Sequence, residues 1–320
     1  MPDSATPLAE LISVRDWLRY AVSRFNAAGL AYGHGTESAL DEAAFLILSA
    51  LHLDVSELEP WLDARLTTPE RRRILDLVEA RIFTRKPAPY LVGAAYIRGR
   101  RFKADERAIV PRSFLAELIC DRLDEGQDHF PPFPVETPVL RILDLCTGGG
   151  SLAILCALAF PEATVDAVDI SAAALALARE NVTAYDLEER IRLVEGDLFA
   201  PLGDERYDLI VSNPPYVTDA SISAFPPEYR AEPDLAHRGG ADGLDLVRRI
   251  IAAAGRHLHP TGQVVIEIGQ AAAALVEAFP GQPFVWLETA TSSHEVVALP
   301  ASALESNGRP PRSRRPGRRS

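Results

Sequence analysis

Long apolar runs are missing from this 320-residue chain. No stretch approaches the ~18 consecutive apolar residues that a membrane-crossing helix needs. The opening Met1-Pro2-Asp3-Ser4 has no basic region ahead of an apolar core, so no secretory leader is expected there. Cysteine is scarce: Cys120, Cys146 and Cys156 show neither metal-ligand spacing nor a disulfide framework. No metal is expected. Each thiol reads as a small buried hydrophobe, and a reducing cytoplasm is the natural compartment. A lysine-ended phosphate loop is absent, and so is the six-residue dinucleotide fingerprint, which argues against a pyrophosphate ligand. Basic charge is sparse and uneven. Six of the 33 basic residues fall in 309–320, leaving 27 against 45 acidic residues in the rest of the chain. That imbalance is unsuited to a broad duplex-DNA footprint and suits a basic protein partner.

Hydrophobic content of 47% and charged content of 24% are globular values. Residues 8–85 carry helical spacing, as in Leu8, Leu11, Ile12, Val14, Trp17 and Leu18, in Ala43, Leu46, Ile47, Ala50 and Leu51, and again over 70–83. Pro87 and Pro89 then break the chain. Residues 90–110 are rich in aromatic and β-branched types, with Gly93 and Gly99 as turn points, and read as a hairpin linker. Ser113 is placed to cap a helix running through Arg122. Residues 124–139 read as loop. From Arg141 onward strands and helices alternate, with strands expected over 141–146, 164–169, 191–195, 207–212, 263–268, 284–289 and 295–299. Helices are expected through 158, over 172–185, 244–258 and 271–278. This is an α/β pattern with a mostly parallel seven-stranded sheet covered on both faces. The last link, 290–294, is too short for a crossover helix and implies an antiparallel edge hairpin.

The chemistry-bearing residues lie at strand ends. Asp144-Leu145-Cys146-Thr147-Gly148-Gly149-Gly150 follows the first strand, where Gly148 and Gly150 let the backbone approach a ligand closely. Asp169, followed by Ile170, ends the second strand and is placed to accept both hydroxyls of a ribose. Asp197, followed by Leu198 and Phe199, ends the third; its carboxylate suits an adenine amino group, with Leu198 or Phe199 against the ring. Carboxylates with no phosphate-binding cation suit a cationic nucleoside, and S-adenosylmethionine is one. Asn213-Pro214-Pro215-Tyr216 follows the fourth strand. Two prolines stiffen that corner. The Asn213 amide oxygen and the Pro214 carbonyl offer two acceptors for one NH2 group, and Tyr216 a face for a planar amide or base. Taken alone, the tetrapeptide also reads as a proline-rich turn, and each strand-end Asp as a helix cap.

In this order the motifs resemble a class I methyltransferase, Rossmann-like, of the kind that methylates planar NH2 groups. Two branches carry Asn-Pro-Pro-Tyr here: adenine-amino DNA methyltransferases and protein-(glutamine-N5) methyltransferases. The helical N-terminal part and linker resemble the second. Val110-Pro111-Arg112-Ser113, the Cys146 form of the glycine loop, and Pro227-Glu228-Tyr229-Arg230-Ala231-Glu232-Pro233 continuing to Asp242–Ile250 resemble the branch acting on large-subunit ribosomal protein L-three. The chain departs from the family in its Gly148-Gly149-Gly150-Ser151 loop and its Thr291-Ser292-Ser293-His294 turn.

The resemblance implies a substrate-reading helical domain over 1–86, a hairpin linker over 87–112 and a catalytic domain over 113–300. It also implies S-adenosylmethionine bound through Asp144, Cys146, Thr147, Gly148, Gly150, Asp169, Ile170, Asp197, Leu198 and Asn213. Asn213, Pro214, Pro215 and Tyr216 would be catalytic, and Asn213, Pro214, Tyr216 and Arg112 would meet the substrate. The Arg-rich tail, 301–320, reads as disordered, either a weak RNA contact or simply solvated. The closest alternative is a release-factor glutamine methyltransferase, followed by a DNA adenine methyltransferase and a non-catalytic ribosome assembly factor. Plainer expectations complete the reading: His257 and His259 solvated, Glu267 capping the helix after its strand, Arg112 equally suited to an ion pair, and Trp17, Trp61 and Trp286 in the core.

Overall fold

The computed structural model describes residues 5–126, 130–133 and 138–304. Helices α1 (Ala5–Glu10), α2 (Val14–Ala28), α3 (Ala39–Ala50) and α4 (Thr68–Thr84) form the N-terminal part. Their boundaries have local causes. Ser13 and Asp16 make a reciprocal capping box at the start of α2, Thr67 and Glu70 do the same for α4, and Gly29 ends α2 at φ +58°. Trp17, Phe25, Leu46, Ile47, Ile74, Leu75 and Val78 meet in a core belonging to these helices. Trp17 is in that core, whereas Trp61 is 37% exposed, against the expectation, and Trp286 is partly buried against the sheet.

The linker is partly helical. α5 (Ala88–Val92) contains Tyr90, so the hairpin is confined to β1 (Ala94–Ile97) and β2 (Arg100–Lys103), turning at Gly99. α6 (Phe114–Glu125) starts where expected, with Ser113 Oγ accepting from the Ala116 N–H.

β3 (Arg141–Leu145), α7 (Ser151–Ala159), β4 (Thr164–Asp169), α8 (Ala172–Ala184), β5 (Ile191–Glu195) and β6 (Tyr207–Ser212) follow. Then come α9 (Asp219–Ser223), α10 (Asp245–His257), β7 (Leu258–Glu267), α11 (Ala272–Ala278), β8 (Val285–Leu287), β9 (Val296–Pro300) and α12 (Ala301–Leu304). The seven-stranded sheet has the order β5-β4-β3-β6-β7-β9-β8; β9 runs antiparallel to both its neighbours and β8 is the edge. One face packs α6 and α7 through Leu115, Ile119, Leu152 and Leu155, and the other packs α10 through Val247, Ile250 and Ile251. The order reverses between β3 and β6, and a sheet of this kind takes its ligand beyond the strand carboxyl ends at such a switch. α12 carries the ordered chain past residue 300, with Ala301 and Leu304 buried, so 301–304 are not part of a loose tail. The rest of the expected tail, 305–320, lies outside the described residues.

The segment after β6 is bound to the N-terminal helices by buried ions. Arg81 of α4 is fully buried. Its Nε donates to Glu42 Oε1 at 2.6 Å, and its Nη1 lies 3.6 Å from Glu228 Oε1. Glu228 also accepts from Arg85 Nη1 (3.0 Å) and the Ala31 N–H (3.2 Å). Removing one member of a buried ion set strands its partners. Arg81→Met, which roughly keeps side-chain length and leaves Glu42 short of its cation, is therefore expected to destabilise the chain by ~3–5 kcal/mol in a denaturant titration. A loss below ~1 kcal/mol would mean that Arg85 and water compensate fully.

Candidate active site

Loops at the carboxyl ends of β3, β4, β5 and β6 surround one cavity of about 830 Å³. It is lined by Cys146, Gly148, Asp169, Ile170, Asp197, Leu198, Asn213, Pro214, Pro215, Tyr216 and Arg112, eleven of the fourteen residues expected at the site. Asp144, Thr147 and Gly150 do not line it; they shape the loop from beneath. Asp144 is fully buried and accepts from Thr147 Oγ1 at 2.5 Å. Gly150 turns the chain into α7 at φ +82°, and a Cβ there would sit 3.1 Å from Ala178 Cβ. Gly148, at φ +54°, donates its N–H to Asp169 Oδ2 at 2.8 Å, while the Ser171 N–H reaches Oδ1 at 2.8 Å. The Asp169 carboxylate is thus held in one orientation at the cavity wall. Burial raises its pKa above the ordinary carboxyl value, against the pull of those N–H donors.

The third strand end carries more contacts than its sequence shows. Asp197 lines the cavity as expected and is also ion-paired, Arg249 Nη2 donating to its Oδ2 at 2.7 Å. Phe199 does not reach the cavity. It stacks on His257 with centroids 4.6 Å apart, leaving Leu198 as the apolar wall, and so His257 is buried, with Nδ1 3.0 Å from the Glu205 carbonyl oxygen, not solvated. The pattern of α10 could have shown this, since His257 falls on the face carrying Ile250 and Ala254.

The cavity is also less poor in cations than expected. Arg107, Arg112, Arg238, Arg248 and Arg249 all line it, brought in from separate parts of the chain. Each meets a carboxylate: Arg107 with Asp105 and Glu180, Arg112 with Glu232, Arg238 with Asp234, Arg248 with Asp242 and Arg249 with Asp197. A phosphate ligand is therefore disfavoured because the cavity's cations are paired, not because they are missing.

The Asn213–Tyr216 corner is tightly held. Ser212 Oγ donates to the Leu145 carbonyl at 2.8 Å, tying β6 to β3. Asn213 Nδ2 donates to the Arg112 carbonyl at 3.2 Å, which commits the amide nitrogen and leaves Oδ1 as acceptor on its other side. Tyr216 OH donates to Glu267 Oε1 at 3.0 Å, and its ring lies so close to Gly269 that a Cβ there would be 2.5 Å from Cε2. Glu267 caps a different helix from the one expected. Its Oε2 takes Ser113 Oγ at 2.5 Å and the Leu115 N–H at 3.3 Å, at the start of α6.

One wall had no site assignment from sequence. Pro233 and residues 235–238 line the cavity beyond Tyr216, clipped there by Val217 N–H to the His237 carbonyl (2.9 Å) and Gly239 N–H to the Val217 carbonyl (2.8 Å). The Glu-Pro motif at 232–233 marked the segment without placing it.

A family model described as methyltransferase small domain matches residues 120–225. With the sheet and cavity above, it defines a class I methyltransferase, whose methyl donor is S-adenosylmethionine. Relatives named ribosomal protein uL3 glutamine methyltransferase are found in several bacteria. The one from Bradyrhizobium diazoefficiens is 51% identical over 296 residues, covering 92% of this chain and 93% of its own. That from Bordetella pertussis is 52% identical over 295 residues, covering 92% and 97%, and that from Burkholderia pseudomallei 50% over 313 residues, covering 95% and 98%. The chain belongs to the ribosomal protein uL3 glutamine methyltransferase family.

The donor set fits a cationic nucleoside: a fixed carboxylate at Asp169, a second at Asp197, an apolar wall at Leu198 and Ile170, and arginines that carboxylates neutralise. Beneath it, burial raises the Asp144 pKa to about 7. The folded chain then keeps a proton that the unfolded chain has released, so this group's contribution to stability falls as pH rises from about 4 to about 7. Asp144→Asn cannot titrate. Its stability relative to wild type should rise with pH across that window and level off above it in denaturant titrations; a difference independent of pH would refute a raised pKa.

Proposed function

We propose that this chain methylates the side-chain amide nitrogen of a glutamine in large-subunit ribosomal protein uL3. The observation that carries this reading is the fixed Asn213 amide. With its nitrogen donating to the Arg112 carbonyl, Asn213 turns its amide oxygen to the other side as an acceptor. The names of relatives about half identical over nearly the whole chain support the substrate.

An amide nitrogen is a weak nucleophile because its lone pair is delocalised into the carbonyl. Asn213 Oδ1 and the Pro214 carbonyl each take one N–H of the target NH2, hold it in a single orientation and turn its lone pair toward the donor. Tyr216, fixed through Glu267, packs against the plane of the target amide. S-adenosylmethionine supplies an electrophilic methyl on a sulfonium. Asp144, Cys146, Thr147, Gly148, Gly150, Asp169, Ile170, Asp197 and Leu198 hold it, with Asp144, Thr147 and Gly150 acting through the shape of the loop. As positive charge develops on the target nitrogen, the two acceptors bind its hydrogens more strongly, which is preorganised electrostatic stabilisation. The nitrogen then releases one proton. Burial raises the Cys146 thiol pKa, so that group stays neutral and supplies no base. Residues 1–86 read the protein substrate, with 87–112 as linker to the catalytic part. The acidic balance of the chain suits a basic ribosomal protein.

The test is intact-mass and peptide mapping after incubation with S-adenosylmethionine and three separate acceptors: uL3, a peptide-release factor and an adenine-containing duplex. One methyl on a uL3 glutamine alone is the expected result. Methylation of the release factor instead would keep the chemistry and change the substrate, and methylation of DNA would overturn both. Asn213→Ala is expected to lower transfer by at least about 10²-fold while leaving cofactor affinity intact, as for loss of a preorganised polar contact. Asp169→Ala should weaken cofactor binding by about tenfold or more in calorimetry, the consequence of removing a charged hydrogen-bonding group.

A further inference from the structure

Glu232 lies outside the residues assigned to chemistry, yet its buried carboxylate gathers three distant parts of the chain. Arg112 Nη1 and Nη2 donate to its Oε1 and Oε2 at 2.6 and 2.8 Å, a bidentate pair. The Val110 N–H donates to Oε1 at 2.9 Å. His34, from the connection between α2 and α3, and His237, from the cavity wall, place their Nε2 atoms 3.5 and 3.2 Å from Oε2. The side chains of Glu232, His34 and His237 are almost wholly inaccessible.

The consequence runs through the backbone. Val110, Pro111 and Arg112 wrap the carboxylate as a short stiff unit: its first N–H and its last guanidinium are both held by Glu232, and the proline between them fixes φ. The Arg112 carbonyl at the end of that unit accepts from Asn213 Nδ2. An asparagine amide has two orientations of nearly equal shape, related by a half-turn. In one, Oδ1 meets the target NH2; in the other, NH2 meets NH2 and no hydrogen bond forms. The Arg112 carbonyl selects the first.

We propose that Glu232 is a positioning residue for methyl transfer: by clamping residues 110–112 it fixes the backbone carbonyl that orients the Asn213 amide. This rests on the reading that Asn213 accepts from the target amide. His34 and His237 close the cluster from the N-terminal helices and from the cavity wall, so the same carboxylate also registers the substrate-reading part against the site.

The decisive comparison is Glu232→Gln in the full chain, assayed with uL3 and S-adenosylmethionine for kcat, KM, cofactor Kd and Tm. The expected result is a fall in kcat of about 10- to 100-fold, the usual range for loss of a supporting contact to a functional group, with KM and Kd within about twofold. Glu232→Asp, which keeps the charge on a shorter stem, should recover part of that loss. A merely structural role would lower Tm and weaken KM and Kd along with kcat, and that pattern would overturn the proposal. Wild-type kcat in Glu232→Gln would overturn it as well, while a dead Asn213→Ala in the same assay would leave the reading of Asn213 standing. An active Asn213→Ala would instead remove the reading beneath the proposal. If Glu232→Gln does not fold, Arg112→Lys serves, because it keeps the charge and the carbonyl but not the bidentate fork. It should show the same selective loss of kcat, and unaltered kcat there would sink the idea.

Discussion

Two carboxylates buried in the stretch after β6 set how the parts of this protein sit together. Glu228 and Glu232 are four residues apart, and each must find compensation far away in sequence: Glu228 from Arg81, Arg85 and the Ala31 N–H, Glu232 from Arg112, His34 and the Val110 N–H. A charge moved out of water is tolerated only with partners of good geometry. The donors hold the Glu232 carboxyl well below the usual carboxylate range, although burial alone would push it up, with the Arg112 pair the strongest and His237 and His34 adding to it. Satisfying both carboxylates fixes the N-terminal helices, the linker and the far wall of the cavity relative to the strand ends.

The cavity follows the same logic on a smaller scale. Its ligand-facing carboxylates are oriented by backbone N–H groups or, at Asp197, by Arg249, and its other four arginines are neutralised by acids that lie outside the chemistry. A site lined by five guanidinium groups would otherwise attract phosphate. Pairing turns them into structure and leaves a wall suited to a cationic ligand. The target amide would meet an acceptor whose direction was set before it arrived, which is where rate comes from when no strong base is at hand.

Much of this was legible in the chain. Apolar runs bounded by turn residues marked six of the seven strands to within two residues, while β7 begins five residues before the expected start. The short link before the last strand called for an antiparallel pair, and eleven of the fourteen expected site residues line one cavity. Errors fell where a residue's surroundings come from elsewhere in the chain. Phe199 and His257 have ordinary sequence contexts, and only the packing of α10 on the sheet makes them stack. Tyr90 lies in a segment rich in strand formers, yet Pro87 and Pro89 suit the first turn of a helix, and α5 forms instead. Glu267 ends a strand as expected but caps α6, more than 150 residues earlier.

The sequence by itself determined the α/β order, the glycine-rich turn, the strand-end carboxylates and the Asn-Pro-Pro-Tyr corner. These depend on local periodicity, turn chemistry and the conformational limits of glycine and proline, all properties of neighbouring residues. Only the tertiary structure decided which way the Asn213 amide faces, which arginines are already spent on carboxylates, and that Pro233 and residues 235–238 complete the cavity. Each of those is settled by long-range pairing of buried polar groups, and the demand that such a group be satisfied names no particular partner until the chain has folded.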